Sequence, residues 1–158
     1  MNNKFATFGE TMVKYNALYE GVYDPQGEHI VEIAGAESNV AVNLAKLDPE
    51  NLDIHWISLL GKDHPGQLIK QNLIGNINVH APLIGGEKTG VAFQNKLKHA
   101  SDLKTYDRFG SAASKLSFSF LEKHISDANI VHVTGITPAL SESCKKTTFA
   151  ALEKCKSQ

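Results

Sequence analysis

The spacing of hydrophobic positions changes repeatedly along the chain, and each change marks the boundary of a predicted element. Short apolar runs typical of buried strands alternate with stretches in which apolar residues recur every three or four positions, as on one face of a helix. The predicted buried strands lie at 4–9, 54–60 and 130–134. Because strands and helices alternate, the pattern favours an α/β fold of Rossmann-like type, with a largely parallel sheet and flanking helices.

Four helices are predicted from the helical spacing and from the residues that flank it. They lie at about 36–47, 65–74, 114–124 and 138–156. Asp48-Pro49 ends the first helix, and Pro138 suits the first turn of the last, where a proline loses no helical hydrogen bond. The last helix carries apolar residues that need a surface to pack against, namely Leu140, Phe149 and Leu152.

Two strand pairs, at 18–33 and 90–109, do not fit inside a parallel sheet because polar residues interrupt them. We predict that these segments form a small β lid attached to one edge of the sheet. The chain then ends on a helix, where a βαβ architecture calls for another strand. We therefore expect residues 1–158 to be the N-terminal part of a larger domain, with the strand at 130–134 on an open edge.

Composition narrows the class of protein. The 158 residues are 42% hydrophobic and 21% charged, as in a globular domain, and the net charge of −1 does not favour nucleic acid as a partner. No apolar run is long enough to span a membrane, and the first ten residues lack the apolar core of a signal peptide. We therefore expect a cytoplasmic protein with neither a membrane nor a nucleic-acid partner.

The cysteines and histidines argue against covalent or metal crosslinks. Cys144 and Cys155 fall in one predicted helix, about three turns or ~16 Å apart, which is beyond disulfide reach. Both are expected to be free thiols. The seven histidines lack the paired spacing by which a helix presents metal ligands, so no metal site is expected.

A small-residue segment leads into the first predicted helix at Gly35 and continues through Asn39. A helix N-terminus presents unpaired N–H groups and a partial positive charge, which suit hydroxyls, carboxylates or phosphates. Gly35 would let a ligand approach the backbone, and Asn39 can donate and accept hydrogen bonds. The alternative is a tight strand-to-helix turn. Asp63, after a later strand, has the same two interpretations, turn formation or ligand contact.

Three further residues fit a site for a small molecule that carries a carboxylate. Glu10 ends the first strand at the carboxyl edge, where open α/β sheets bind ligands; the alternative is an exposed strand-end carboxylate. Arg108 is the only arginine against fifteen lysines, and its planar fork can bind a carboxylate through two hydrogen bonds. Tyr106 lies two residues earlier, on the same strand face. The alternative is a surface pair between Arg108 and Asp102 or Asp107.

With those residues in place, the chain resembles the ribokinase/PfkB family of carbohydrate kinases. The resemblance rests on motifs at strand ends and helix starts: Gly9-Glu10, residues 34–41 and residues 60–66. Within the family it is most similar to 2-keto-3-deoxygluconate kinases, through Thr89-Gly90, Tyr106-Asp107-Arg108, residues 111–114 and residues 133–141. The resemblance implies a ribokinase-like fold. It also implies that Glu10 accepts hydrogen bonds from sugar hydroxyls, beside a binding set of Gly35, Asn39, Tyr106 and Arg108.

The family phosphorylates a sugar hydroxyl with ATP and Mg²⁺. Its Gly-Ala-Gly-Asp type motif, which carries the anion hole and the catalytic base, does not occur in these 158 residues. The resemblance therefore implies the substrate-binding half of an ATP-dependent sugar kinase, acting on 2-keto-3-deoxygluconate or a related sugar. The catalytic base is expected beyond residue 158, and no cofactor-binding residue is assigned. A homo-oligomer formed through the lid is also expected.

Two alternatives stay open at this point. One is a non-catalytic carbohydrate-binding or lid-dimerising module from a truncated kinase. The other is a degraded reading frame whose product has no stable function. The activity of this chain alone is left open by its sequence.

Overall fold

The computed structural model describes residues 3–99 and 101–156. Within those ranges the strands are β1 (Asn3–Phe8), β2 (Met12–Glu20), β3 (His29–Ala34), β4 (Leu52–Ile57), β5 (Leu60–Gly61), β6 (Asn78–His80), β7 (Leu83–Ile84), β8 (Val91–Lys96), β9 (Leu103–Asp107) and β10 (Ile130–His132). The helices are α1 (Ala36–Leu47), α2 (His64–Leu73), α3 (Phe118–Ile125), α4 (Ile136–Leu140) and α5 (Glu142–Lys156), with a 3₁₀ turn at Ala112–Lys115.

The central sheet has the strand order β10-β1-β4-β6, and all of its pairings are parallel. Phe5 of β1 pairs with Ile130 on one side and with Ile54 on the other. The three strands predicted as buried therefore lie side by side, and the Rossmann-like α/β fold is confirmed. The fourth strand, β6, was missed by the sequence pattern because its three residues are too short to show a period.

Both faces of this sheet are covered, as parallel strands require. Alternate residues of β1 and β4 point to opposite sides. On one side, Phe5 and Trp56 pack with residues of α1 and α2; on the other, Phe8 and Ile57 pack with α3 and α5. Cys144 of α5 is buried in the second cluster, and both cysteines are free, as predicted.

A second sheet, the lid sheet, has the order β3-β2-β8-β9. Its outer pairings are antiparallel, and β2 and β8 run parallel at its centre. The first lid strand, expected to begin at position 18 of the 18–33 pair, runs instead from Met12 to Glu20, so the sheet starts two residues after Glu10. Its inner residues Val13 and Ala17 are buried, which the weak alternation around position 18 did not reveal. The lid is thus continuous with the end of β1.

Two helix predictions need correction. The helix expected at 114–124 begins only at Phe118, after the 3₁₀ turn. The last helix is two helices, because Ser141 is extended between α4 and α5. The Ser141 hydroxyl donates to the carbonyl of Ser114 at 2.5 Å and accepts from the N–H of Cys144 at 3.0 Å. That second bond caps the start of α5 and explains the break.

The strand β10 pairs with β1 alone within the described part of the chain, so it forms an edge of the central sheet, as expected. Ile130 is half exposed there, as are Phe149 and Leu152 of α5. The apolar residues of the last predicted helix are therefore only partly covered.

Candidate functional site

Glu10 lies directly after β1, at the carboxyl edge of the central sheet, and is only 3% exposed. The hydroxyl of Ser111 donates to its Oε1 at 2.5 Å, and Nη2 of Arg108 lies 2.5 Å from its Oε2. The alternative of an exposed strand-end carboxylate is therefore wrong. Two segments far apart in the chain hold this carboxylate in place.

Arg108 follows β9, and its side chain is 25% exposed. Its approach to Glu10 is a charge contact rather than an aligned hydrogen bond, and its Nε is buried without a hydrogen-bond partner among the described residues. The suggested surface pairs are wrong, since Asp107 binds Lys88 and Asp102 accepts from Gln94. The guanidinium thus has donor capacity that the protein does not use.

Tyr106 lies beside this arginine, with Cζ of Arg108 5.8 Å from the centre of its ring. At that distance the ring face attracts the cation. The two residues form one side of a groove of about 480 Å³. The groove is lined by Tyr106, Arg108, Phe109, Gly135, Ile136, Ala139 and Leu140. Its two walls therefore come from the end of the lid sheet and from the segment at α4.

Gly35 is the N-cap of α1 and has extended backbone angles that any residue can adopt. Its requirement for glycine is spatial, because a Cβ atom would lie 2.4 Å from Oγ1 of Thr11 and 2.8 Å from the carbonyl oxygen of Glu10. A Cβ at Gly90 would likewise lie 2.7 Å from Oε1 of Glu10. Gly90 thus lets the backbone pass close to the buried carboxylate, and Gly35 lets the start of α1 lie against the backbone of Glu10. Ligand contact at Gly35 remains a prediction.

Asn39 does not join this group. It is exposed, its N–H donates to the carbonyl of Gly35 at 2.9 Å, and it lines another hollow, between β3, α1 and α2. No hydrogen bond or ion pair within residues 3–99 and 101–156 links it to Glu10 or Arg108. The structure therefore brings together Glu10, Tyr106 and Arg108, with Gly35 alongside, while a substrate role for Asn39 remains a prediction.

Asp63 is explained by local structure. It caps α2 by accepting from the N–H of Gly66 at 2.8 Å, and it accepts both the N–H and the hydroxyl of Thr89 at 2.7 Å. Burial alone would raise the pKa of the Asp63 carboxyl, but these hydrogen bonds outweigh it and bring the pKa below its ordinary value. Its oxygens thus connect Thr89, in the segment that leads into β8, to the start of α2, which supports the turn interpretation.

Sequence reasoning missed two polar residues of this region. Ser111 supplies the hydroxyl on Glu10, and Glu37 in the first turn of α1 is fully buried among hydroxyl groups. A carboxylate directly after a helix start is ordinarily a surface feature that complements the helix dipole. Nothing in the local pattern shows that the chain returns to cover it almost a hundred residues later.

Over the described ranges, no group of three or more histidine, cysteine, aspartate or glutamate side chains is arranged to hold a metal ion. In the same part of the chain, every helix is too short or too polar to cross a membrane.

The sequence profile of the pfkB family carbohydrate kinases matches residues 2–158. The chain belongs to this family. It is 35% identical over 147 residues to the 2-dehydro-3-deoxygluconokinase of Bacillus subtilis, a match that covers 90% of this chain and 44% of that protein. It is 29% identical over 164 residues to the 2-dehydro-3-deoxygalactonokinase of Haloferax volcanii, covering 97% of this chain and 48% of that one.

Solved structures of family members agree with the fold. A PfkB protein from a Polaromonas species superposes with a TM-score of 0.87 at 30% identity, covering 98% of this chain and 52% of that one. A 2-dehydro-3-deoxygluconokinase from Thermotoga maritima superposes with a TM-score of 0.83 at 25% identity, covering 99% of this chain and 48% of that one. The ribokinase-like fold is thereby confirmed. The chain spans about half the length of the relatives that it matches.

Proposed function

We propose that this chain is the sugar-binding half of an ATP-dependent carbohydrate kinase whose substrate is 2-dehydro-3-deoxygluconate or a related sugar acid. 2-Dehydro-3-deoxygluconate and 2-keto-3-deoxygluconate are two names for one compound. The observation that carries the proposal is the side chain of Arg108, which is 25% exposed and lines the groove beside the buried carboxylate of Glu10. The names of the relatives from Bacillus subtilis and Haloferax volcanii support the substrate class.

The chemistry of the groove fits an acid with hydroxyl groups. A guanidinium presents its N–H groups in a planar fork that matches the two oxygens of a carboxylate. The Glu10 carboxylate lies between the hydroxyl of Ser111 and Nη2 of Arg108, so its charge holds the guanidinium beside the groove. That Glu10 also accepts from a sugar hydroxyl stays a prediction. A neutral sugar offers no carboxylate to this fork, so it binds without the charge-assisted hydrogen bonds that the acid can form.

The residues of this chain would bind and orient the sugar. Phosphoryl transfer depends largely on positioning and on charge stabilisation at the transferred group, so a rigid groove contributes by fixing the accepting hydroxyl. ATP and Mg²⁺ belong to the proposal for the complete kinase, and we assign no residue of this chain to either. A cytoplasmic location and an oligomer formed through the lid sheet are further parts of the proposal.

Isothermal titration of residues 1–158 tests the binding function. We expect 2-dehydro-3-deoxygluconate to bind at least about tenfold more tightly than fructose, a neutral keto sugar, because only the acid pairs with Arg108. Equal affinity for both, or no heat with either, contradicts the proposal. Assaying the same sample with ATP and Mg²⁺ separates a kinase fragment from a binding module, since turnover would require phosphate-handling groups that are not assigned here.

A further inference from the structure

Glu37 is a buried charge that the proposed binding step does not use. It is 1% exposed and lies in the first turn of α1, close to the positive end of that helix. Its Oε1 accepts the hydroxyl of Thr134 at 2.6 Å, the hydroxyl of Thr137 at 2.9 Å and the N–H of Thr134 at 3.2 Å. One carboxylate oxygen thus holds three donors from one short segment.

The packing leaves this side chain little freedom. A Cβ atom at Gly9 would lie 2.4 Å from Cδ and 2.6 Å from Oε2 of Glu37, so the chain passes directly against the carboxylate. Thr137 is fully buried, and its hydroxyl is also 3.3 Å from the carbonyl oxygen of Phe8. The carboxylate therefore ties α1, the end of β1 and the segment after β10 to one another.

The segment that Glu37 holds leads directly into the groove wall opposite Arg108. Gly135, Ile136, Ala139 and Leu140 line that wall, and the last three of them belong to α4. This helix has five residues and no side-chain cap of its own. Helices this short are not stable in water by themselves, so their position depends on tertiary contacts.

We propose that Glu37 is a positioning residue for the groove: by holding Thr134 and Thr137, it fixes the distance between the α4 wall and Arg108. The inference rests on the proposed sugar-acid function. Because α4 also packs against α5, the helix survives the loss of Glu37, and the position of the wall is what changes. Such a shift weakens sugar binding without unfolding the chain.

The test compares sugar affinity with stability in four variants of the full chain. Glu37→Ala removes the acceptor, and we expect the Kd for 2-dehydro-3-deoxygluconate to rise about tenfold or more, by titration at a temperature where every variant is folded. Glu37→Gln keeps an acceptor oxygen for the threonines and is expected to stay within about threefold of the unmodified chain.

Thr137→Val and Thr147→Val form a matched pair, since each removes one buried hydroxyl and keeps the shape of the side chain. Thr147 donates to the carbonyl of Leu116 at 3.1 Å, away from the groove. We expect both to lower the melting temperature similarly, and only Thr137→Val to weaken binding, by about threefold or more.

Amide hydrogen exchange supplies a readout that needs no ligand. Glu37→Ala is expected to speed exchange in the α4 segment and to leave β1 and β4 unchanged. Faster exchange with unaltered affinity overturns the positioning role, as does an equal loss of affinity in Thr147→Val. If the unmodified chain binds no 2-dehydro-3-deoxygluconate, the proposed function fails first, and the positioning role falls with it.

Discussion

Replacing Arg108 with alanine should abolish recognition of the acid group while leaving neutral sugars almost unaffected. Arg108 is the one arginine of the chain, and its side chain is 25% exposed and lines the groove. A hydrogen bond to a charged group contributes about 1.5–3 kcal/mol, and a fork can form two of them. We expect a loss of about 2–4 kcal/mol, which raises Kd about 30- to 1,000-fold.

The same substitution removes the counter-charge of Glu10, and this effect must be separated from binding. Breaking a fully buried pair by deleting one partner destabilises a fold by about 3–5 kcal/mol. The loss should be smaller here, because the Arg108 side chain is 25% exposed. The double variant Glu10→Gln with Arg108→Ala removes both charges, so it should recover most of that stability without recovering acid binding. Arg108→Lys keeps the charge without the fork and should restore binding only in part.

The assay is titration with 2-dehydro-3-deoxygluconate and with fructose, beside a thermal melt of each variant. Equal losses for the acidic and the neutral sugar would refute carboxylate recognition by Arg108. Recovery of acid binding in the charge-free double variant would refute it as well.

Three further outcomes are expected. Gly90→Ala places a Cβ against Oε1 of Glu10 and should lower stability by about 1–3 kcal/mol in a denaturant melt; an unchanged midpoint would contradict that packing. Asn39→Leu removes both polar functions of an exposed residue, so sugar binding should fall while the melting temperature holds, and a joint collapse would favour a structural role. Burial and the His80 ring, 4.3 Å away, lower the pKa of His124 to about 4. The neutral His124 side chain then contributes about 1–2 kcal/mol to the free energy of unfolding above pH 6.5, a figure reduced for its partial exposure. This contribution is lost as the pH falls toward 4. Melts across that range check it, because the stability of His124→Gln should fall less steeply with pH than that of the unmodified chain.

The sequence predicts the central sheet well because each of its long strands is an apolar run with clear ends. The first strand of the lid sheet was placed too late, since Val13 and Ala17 are buried by tertiary contacts rather than by a visible alternation. The break at Ser141 depends on a hydrogen bond to Ser114, 27 residues away, which no local propensity reports.

In the candidate site, too, some features are visible in the local sequence and others depend on tertiary contacts. Glu10 and Arg108 were each predicted, from a strand end and from a rare residue type, but their contact joins segments almost a hundred residues apart. The position of Glu37 in the first turn of a helix favours an exposed carboxylate, and the Thr134–Thr137 segment buries it only in the folded chain. Residue types with evident chemistry can be found from the sequence, whereas their mutual placement depends on the fold.

The unused donor of Arg108 can be observed directly by proton–nitrogen NMR. Because the chain has one arginine, its Nε–H group gives a single signal in that region of the spectrum. Adding 2-dehydro-3-deoxygluconate should shift this signal, because its carboxylate binds the guanidinium to which the Nε–H belongs, while fructose should leave the signal in place. A signal that stays unchanged while backbone amides of the groove report binding of the acid would contradict the central claim.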